Sequence, residues 1–139
     1  MGIIPNVVNS VADELIGIDT SNREGLNIVR VRGRLGINTE CKLRDRVAEL
    51  IKEHNYDLIL DFTDVTFMDS SGMSSVLSAM RQVNENKGSI CIVCETRHIL
   101  RVLRITAIDK LMAIYSTVDE AIVAFKEAKA NKANETSAP

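Results

Sequence analysis

The residues best suited to chemistry in this 139-residue chain lie in one short run, Asp69-Ser70-Ser71-Gly72. Aspartate and serine are strong N-cap residues, because their side-chain oxygens accept the free N–H groups of a first helical turn. One interpretation is therefore purely structural, a capped helix start. The same position also suits a phosphate, because a helix N-terminus offers unpaired donors and positive dipole charge. These arguments favour a phosphorylation switch as a second interpretation, without distinguishing Ser70 from Ser71, Ser74 or Ser75.

The elements around this run alternate between strand and helix patterns. Residues 15–19 and 26–33 predict a β-hairpin, with a turn at residues 22–25. Residues 56–62 and 89–94 read as buried strands, and residues 112–115 as a short last strand. Residues 63–68 are interpreted as a loop that leads into the helix of Met73 to Val83.

Four segments carry helical patterns of apolar residues, and they begin near residues 39, 70, 96 and 118. Thr117 and Glu120 have the spacing of a capping box at the start of the last one. Strands that alternate with helices predict an α/β fold. We expect a mixed β-sheet with an N-terminal hairpin followed by βα units, and about four helices.

The chain length suits one domain, which we expect to span residues 13–128. Residues 1–12 are weakly patterned and are predicted to form a flexible lead-in or an edge element. Residues 129–139 are polar and Ala-rich, which favours a flexible tail.

The composition argues against several functions. A formal net charge of −2 gives no basic field for nucleic acid or an anionic membrane, and aromatic residues make up only 4% of the chain. No apolar run approaches the length of a transmembrane helix, and the N-terminus lacks a secretory signal pattern. The three cysteines then read as free thiols in a reducing compartment, so the expected location is the cytoplasm.

The stretch from Leu58 to Met73 resembles the signature of STAS domains of the anti-sigma factor antagonist family. The motif is a strand, an acidic segment, and then Phe67-Met68-Asp69-Ser70-Ser71-Gly72 opening a helix. The resemblance covers about residues 26–125. It implies the STAS fold, and it implies that Ser70, the first serine after the aspartate, is the phosphorylation site.

The resemblance also implies a partner-switching cycle. The unphosphorylated protein would bind an anti-sigma factor that is also a serine kinase of the histidine-kinase-like ATPase family, and would thereby release a sigma factor. Phosphorylation of Ser70 would end that binding, and a metal-dependent serine phosphatase would reset the switch. The expected partner-binding residues are Asp69, Ser71, Gly72, Met73, Asp64, Met68, Gly36, Asn38 and Thr39.

No cofactor, metal site or catalytic residue is predicted for the chain itself. It has no Gly-rich phosphate loop of the Walker type, so the ATP and its metal would belong to the kinase. An enzyme with Ser70 as its nucleophile would need a Gly-x-Ser-x-Gly turn, but residue 68 is Met. Neither His54 nor His98 has a visible partner for a catalytic triad or a metal site.

One departure from the family pattern concerns the end of the second strand. Family members often have Gly-Glu-Leu-Asp there, whereas this chain has Gly33-Arg34-Leu35-Gly36. The family's equivalent loop lies near the phosphoserine and touches the kinase. The alternative is therefore a STAS switch or scaffold acting on a non-sigma target, such as a stressosome-type assembly, a response-regulator phosphatase or a secretion regulator.

Three weaker patterns have mainly structural interpretations. Cys91 and Cys94 have CxxC spacing but lie in a predicted strand, where residues three apart point to opposite faces. Cys41 is expected to be an inert, partly buried thiol. Arg97, Arg101 and Arg104 share the polar side of a predicted helix, which favours a solvated face over a contact for an acidic partner.

Overall fold

A five-stranded mixed sheet forms the centre of the computed structural model, which describes the backbone of residues 16–137 and the side chains of residues 16–131. The strands are β1 (Ile16–Arg23), β2 (Leu26–Leu35), β3 (Asp57–Met68), β4 (Ser89–Val93) and β5 (Ile114–Tyr115). They lie in sequence order across the sheet. β1 is antiparallel to β2, and all other neighbours are parallel, which confirms the predicted N-terminal hairpin.

Five helices accompany the sheet in the described part of the chain. They are α1 (Glu40–Lys52), α2 (Ser70–Glu85), α3 (Arg97–Ile105), α4 (Ile108–Leu111) and α5 (Val118–Ser137). The prediction of an α/β fold is confirmed. The prediction of about four helices missed α4, a single turn that follows Ala107 in the left-handed conformation, with a φ of 61°.

The helices divide between the two faces of the sheet, and each face has its own apolar cluster. The larger cluster joins one face to α1, α2, α3 and α4 through residues such as Leu43, Val76 and Leu103. The smaller one joins the other face to α5 through Ala121, Ile122 and Phe125. Parallel neighbours joined by right-handed crossovers place their connecting helices on one face, as here.

β3 is longer than the sequence indicated. Residues 63–68 were predicted to form a loop, but they extend the strand to Met68 and lie beside Arg32 to Leu35 of β2. The polar run Thr63-Asp64 suggested a loop. The pairing with β2, together with inward-facing Val65 and Met68, holds the segment in the sheet.

The C-terminal segment also differs from the expectation. The segment predicted to be a flexible tail from residue 129 continues the helix of α5 as far as Ser137. Its alanines, lysines and glutamate are good helix formers, and no glycine or proline interrupts it before Pro139. The predicted lead-in, residues 1–12, lies outside the described residues.

Candidate functional site

The four serines at the start of α2 have different surroundings. Ser70 is the first residue of the helix and is exposed, and none of the described residues hydrogen-bonds to its hydroxyl. Ser71 is half-buried. The Ser74 hydroxyl donates to the Ser70 carbonyl at 3.1 Å. Ser75 is fully buried and its hydroxyl donates to the Gly72 carbonyl at 2.6 Å. Ser70 and Ser74 are therefore the exposed serines of the four, and of these two only Ser70 has a hydroxyl without a hydrogen-bond partner among the described residues.

Asp69 connects the start of α2 to the loop that follows β2. One carboxylate oxygen, Oδ1, accepts the backbone N–H groups of Ser71 at 2.9 Å and Gly72 at 3.0 Å. The other, Oδ2, accepts the N–H of Ile37 at 3.2 Å. Hydrogen bonds to a charged acceptor are stronger than neutral ones. The Asp69 side chain therefore holds two segments together that are 32 residues apart in sequence.

The two segments are also close enough that glycine is required at one position. A Cβ atom at Gly72 would lie 2.0 Å from the Leu35 carbonyl oxygen, a distance that no side chain tolerates. A Cβ at Gly36 would lie 2.8 Å from Asp69 Oδ2. We call this contact of residues 36–39 with residues 69–72 the Asp69 junction. Its glycines allow the backbones to approach, and its carboxylate holds them there.

Thr39 stabilises the loop within the Asp69 junction. Thr39 is the N-cap residue of α1, but its hydroxyl makes no cap hydrogen bond to that helix. It accepts the N–H of Gly36 at 3.0 Å and donates to the carbonyl oxygen of Arg34. The backbone N–H groups of Thr39 and Glu40 both donate to the Gly36 carbonyl. The loop is thus a tight turn that its own residues hold in place.

A cleft of about 130 Å³ opens on the surface beside this junction. The guanidinium of Arg34 stacks on the Phe67 ring, 4.1 Å from its centroid, and Phe67 lies opposite Arg34 in the register of β2 and β3. The cleft is lined by Arg34, Gly36, Ile37, Asn38, Thr39, Phe67 and Asp69. Ile37 is 72% exposed, so its apolar side chain is available for contact at this surface.

The structure brings most of the predicted partner-binding residues together. Ser70, Asp69, Ser71, Gly36, Asn38 and Thr39 all belong to the Asp69 junction. Asp64 does not, because it lies five residues before Asp69 in an extended strand, about 16 Å along it. Asp61 is farther still, and it is buried and paired with Arg30. The acidic segment of the motif therefore does not surround Ser70.

Several of the predicted partner-binding residues are buried and have structural roles. Met68 is 6% exposed and packs in the larger apolar cluster together with Val65, because the pairing of β2 and β3 shifts register between the two residues. Gly36, Thr39 and Gly72 are buried at the junction. Met73 is partly buried against the same cluster. Within the junction, Ser70 and Asn38 are exposed, and Asp69 and Ser71 are partly exposed.

Sequence reasoning missed two residues at this surface, Ile37 and Phe67. The sequence did contain a signal for Ile37, because an isoleucine between Gly36 and Asn38 in a turn is expected to be exposed. Phe67 was assigned to a loop, so its cross-strand pairing with Arg34 could not be inferred. Among the described residues Arg34 has no carboxylate partner, a property that depends on the tertiary structure and had no sequence signal.

The cysteines behave as the strand pattern predicted. Cys91 packs against α5, and Cys94 packs in the cluster on the opposite face of the sheet. Burial raises the pKa of the Cys91 thiol to about 12, and burial is also the main cause of the raised pKa of Cys94. Cys41, expected to be partly buried, is exposed because it lies on the outer side of α1.

The histidines make local contacts only. His54 Nδ1 lies 2.8 Å from the Tyr56 hydroxyl, and His98 Nε2 lies 2.9 Å from the Thr66 carbonyl oxygen. Residues 16–131 contain no group of His, Cys, Asp and Glu side chains that could hold a metal ion. Within the described chain, no helix has the length and apolar character needed to cross a bilayer.

Comparison with known proteins identifies the family. The sequence profile of the STAS domain matches residues 17–121, most of the chain. The chain is 27% identical over 99 residues to the anti-sigma F factor antagonist of Paenibacillus polymyxa. The matched region covers 70% of this chain and 85% of that protein.

Solved structures agree in fold. An anti-sigma factor antagonist from Mycobacterium paratuberculosis superimposes with a TM-score of 0.73 at 22% identity, covering 78% of this chain and 92% of that one. The Bacillus cell fate determinant SpoIIAA in its phosphorylated form gives a TM-score of 0.62 at 22% identity, covering 78% and 99%. The chain belongs to the STAS domain family.

Proposed function

We propose that this chain is an anti-sigma factor antagonist switched by phosphorylation of Ser70. In its unphosphorylated form it binds an anti-sigma factor that is also a serine kinase of the histidine-kinase-like ATPase family, and the sigma factor is released. The name of the Paenibacillus relative supports the role, and the phosphorylated SpoIIAA structure supports the mode of control. The observation that carries the proposal is the exposed hydroxyl of Ser70, which has no hydrogen-bond partner among the described residues, at the capped start of α2.

The hydrogen bonds of Asp69 explain how a phosphate would act there. A phosphoserine adds about −1.5 to −2 charges at neutral pH. The N–H groups of Ser71 and Gly72, which could otherwise receive that phosphate, already donate to Asp69. The new charge therefore stands at the surface beside a carboxylate. The fold keeps its hydrogen bonds, while a partner surface that fitted a neutral helix end meets concentrated negative charge.

The energy needed for such a switch is small. A loss of about 1.4 kcal/mol weakens binding tenfold, and charge crowding at an interface costs this much or more. The kinase supplies ATP and its metal ion, and a metal-dependent serine phosphatase restores the free hydroxyl. All three proteins act in the cytoplasm in this proposal.

The test uses each histidine-kinase-like anti-sigma factor encoded in the same genome, purified and incubated with this chain and ATP. Mass spectrometry should find one phosphate on Ser70 with one of these kinases, and Ser70→Ala should receive none. Ser74→Ala is the matched control, since Ser74 is exposed on the same turn and should leave phosphorylation unchanged. Phosphate found on another residue alone would refute the site.

Binding to the same kinase separates the switch from mere modification. Isothermal titration calorimetry should show wild-type affinity for Ser70→Ala and at least a tenfold loss for Ser70→Asp. Equal affinities of the two variants would exclude a switch at Ser70. Binding that leaves the kinase's sigma factor in place would instead favour a STAS switch with a non-sigma target.

A further inference from the structure

Arg34 differs from the other arginines of the hairpin in having no carboxylate partner within the described part of the chain. Arg23 pairs with Asp119 at 2.8 Å, Arg30 with Asp61 at 3.5 Å, and Arg32 with Asp19 at 3.1 Å. Arg34 lies two residues after Arg32 on the same strand. Instead of a carboxylate, its guanidinium contacts the Phe67 ring.

That stack orients the guanidinium without using its hydrogen-bond donors. Contact with a ring face uses none of the five N–H groups of a guanidinium, so they remain able to bind a planar carboxylate in a bidentate manner. The position on a strand and the aromatic ring beneath it limit the conformations of the side chain. Arg34 therefore presents an oriented, unneutralised cation at the surface.

The surroundings of Arg34 define what could bind to it. The cleft of about 130 Å³ has room for a single side chain and is too small for a nucleotide or a helix. The exposed Ile37 side chain lines the same cleft and offers apolar contact. Asp69 also lines it, so a dianionic phosphate would meet like charge there, whereas a singly charged carboxylate is tolerated more easily.

We infer that the Arg34 cleft receives an aspartate or glutamate side chain of the partner, with Ile37 packing beside it, and that the kinase surface facing β2 is acidic. This inference rests on the proposed function, because it takes the partner to be the kinase that phosphorylates Ser70. It adds the sign of the charge that the partner must carry. Arg34 and Ile37 are then the residues that determine which kinase of a genome this chain recognises.

The test measures the affinity of that purified kinase for four forms of the chain: wild type, Arg34→Lys, Arg34→Gln and Arg34→Glu. We expect a loss of about tenfold for Gln and about 100-fold or more for Glu, with Lys in between because it keeps charge without the bidentate fork. Higher salt should weaken the wild type more than the Gln variant. Far-UV circular dichroism checks that each variant is folded.

Arg81→Glu is the matched control. Arg81 is an exposed arginine on α2, 11 residues from Ser70 and so about 16 Å along the helix axis. Arg81→Glu changes the net charge by as much as Arg34→Glu does, and it should alter the affinity less than threefold. A partner-side test completes the design: one Asp or Glu of the kinase, changed to Lys, should restore binding to Arg34→Glu at least tenfold.

The outcomes separate this inference from the proposed function. Binding of wild type and Arg34→Glu with equal affinity would overturn the acidic contact and leave the Ser70 switch standing. Equal losses from Arg34→Glu and Arg81→Glu would also overturn it, since net charge alone would then account for the effect. Failure of every kinase to bind the wild type would overturn the proposed function and this inference together.

Discussion

The hairpin and the Asp69 junction satisfy their polar groups in opposite ways. In the hairpin, Arg23, Arg30 and Arg32 all have carboxylate partners, so three of its four arginines are paired within the chain. At the junction, the carboxylate of Asp69 accepts hydrogen bonds from three backbone N–H groups, while Ser70 and Ile37 are exposed. Apart from Arg34 at its end, the hairpin therefore uses its arginines for ion pairs within the chain, whereas the junction is held by hydrogen bonds from its backbone to Asp69 and leaves Ser70 and Ile37 exposed.

The largest effect should come from breaking the backbone contact of the junction. Gly72→Ala places a Cβ 2.0 Å from the Leu35 carbonyl oxygen, so we expect a loss of about 3 kcal/mol in the free energy of unfolding. Since the chain has no tryptophan, urea unfolding followed by far-UV circular dichroism is the measurement.

Gly25→Ala is the matched change in the hairpin turn. Gly25 has a φ of +84°, and no neighbouring atom lies within 4 Å of the place that a Cβ would take. Only backbone strain is introduced there, which costs about 1 kcal/mol. Equal losses from the two variants would mean that the junction backbones are not in close contact.

An intermediate effect should follow removal of the Asp69 carboxylate. Asp69→Ala leaves three N–H groups without their acceptor, and we expect a loss of about 2 kcal/mol. Asp69→Asn keeps one acceptor oxygen for the helix cap and should lose about half as much. Amide hydrogen exchange at Ile37 should accelerate in both variants.

Asp19→Ala is the control for this comparison. Asp19 is 63% exposed and pairs with Arg32 across the hairpin. Exposed ion pairs contribute little, so the expected change is within about 0.5 kcal/mol. If Asp19→Ala lowered the free energy of unfolding as much as Asp69→Ala, the conclusion that Asp69 stabilises the fold more than Asp19 does would be wrong.

The smallest effect should come from Arg34, compared with Arg30 on the same strand, which has a carboxylate partner where Arg34 has none among the residues that the structure describes. Arg30→Ala removes the cation beside Asp61, which is 2% exposed, and should cost about 1.5 kcal/mol. Arg34→Ala removes only an exposed stack on Phe67, worth about 0.5 kcal/mol. Urea unfolding of both variants gives the comparison, and a larger loss at Arg34 would show that it stabilises the fold rather than awaiting a partner.

The sequence predicted the features of the site that depend on near neighbours. Asp69 caps α2 through N–H groups two and three residues away, so the run Asp-Ser-Ser-Gly was sufficient to predict a helix start. The alternation of Cys91 and Cys94 across a strand likewise predicted their separation between the two faces of the sheet.

Contacts between distant segments were not predicted. The pairing of Phe67 with Arg34 depends on two strands that are far apart in sequence, and neither residue type indicates it. For the same reason the extension of β3 through residues 63–68 was taken for a loop. The departure at Gly36 gained a physical meaning only when its distance to Asp69 was known.

The sequence by itself thus determined the α/β pattern, the family resemblance and the position of Ser70 at a helix start. Apolar periodicity and helix capping involve residues only a few positions apart, so these features can be read from neighbouring residues alone. The tertiary structure decided that the Ser70 hydroxyl has no hydrogen-bond partner among the described residues, that Arg34 is the hairpin arginine without a carboxylate partner there, and that Gly72 cannot be replaced. Those properties depend on what lies across the junction from each residue, and packing of β2 against β3 and α2 sets that.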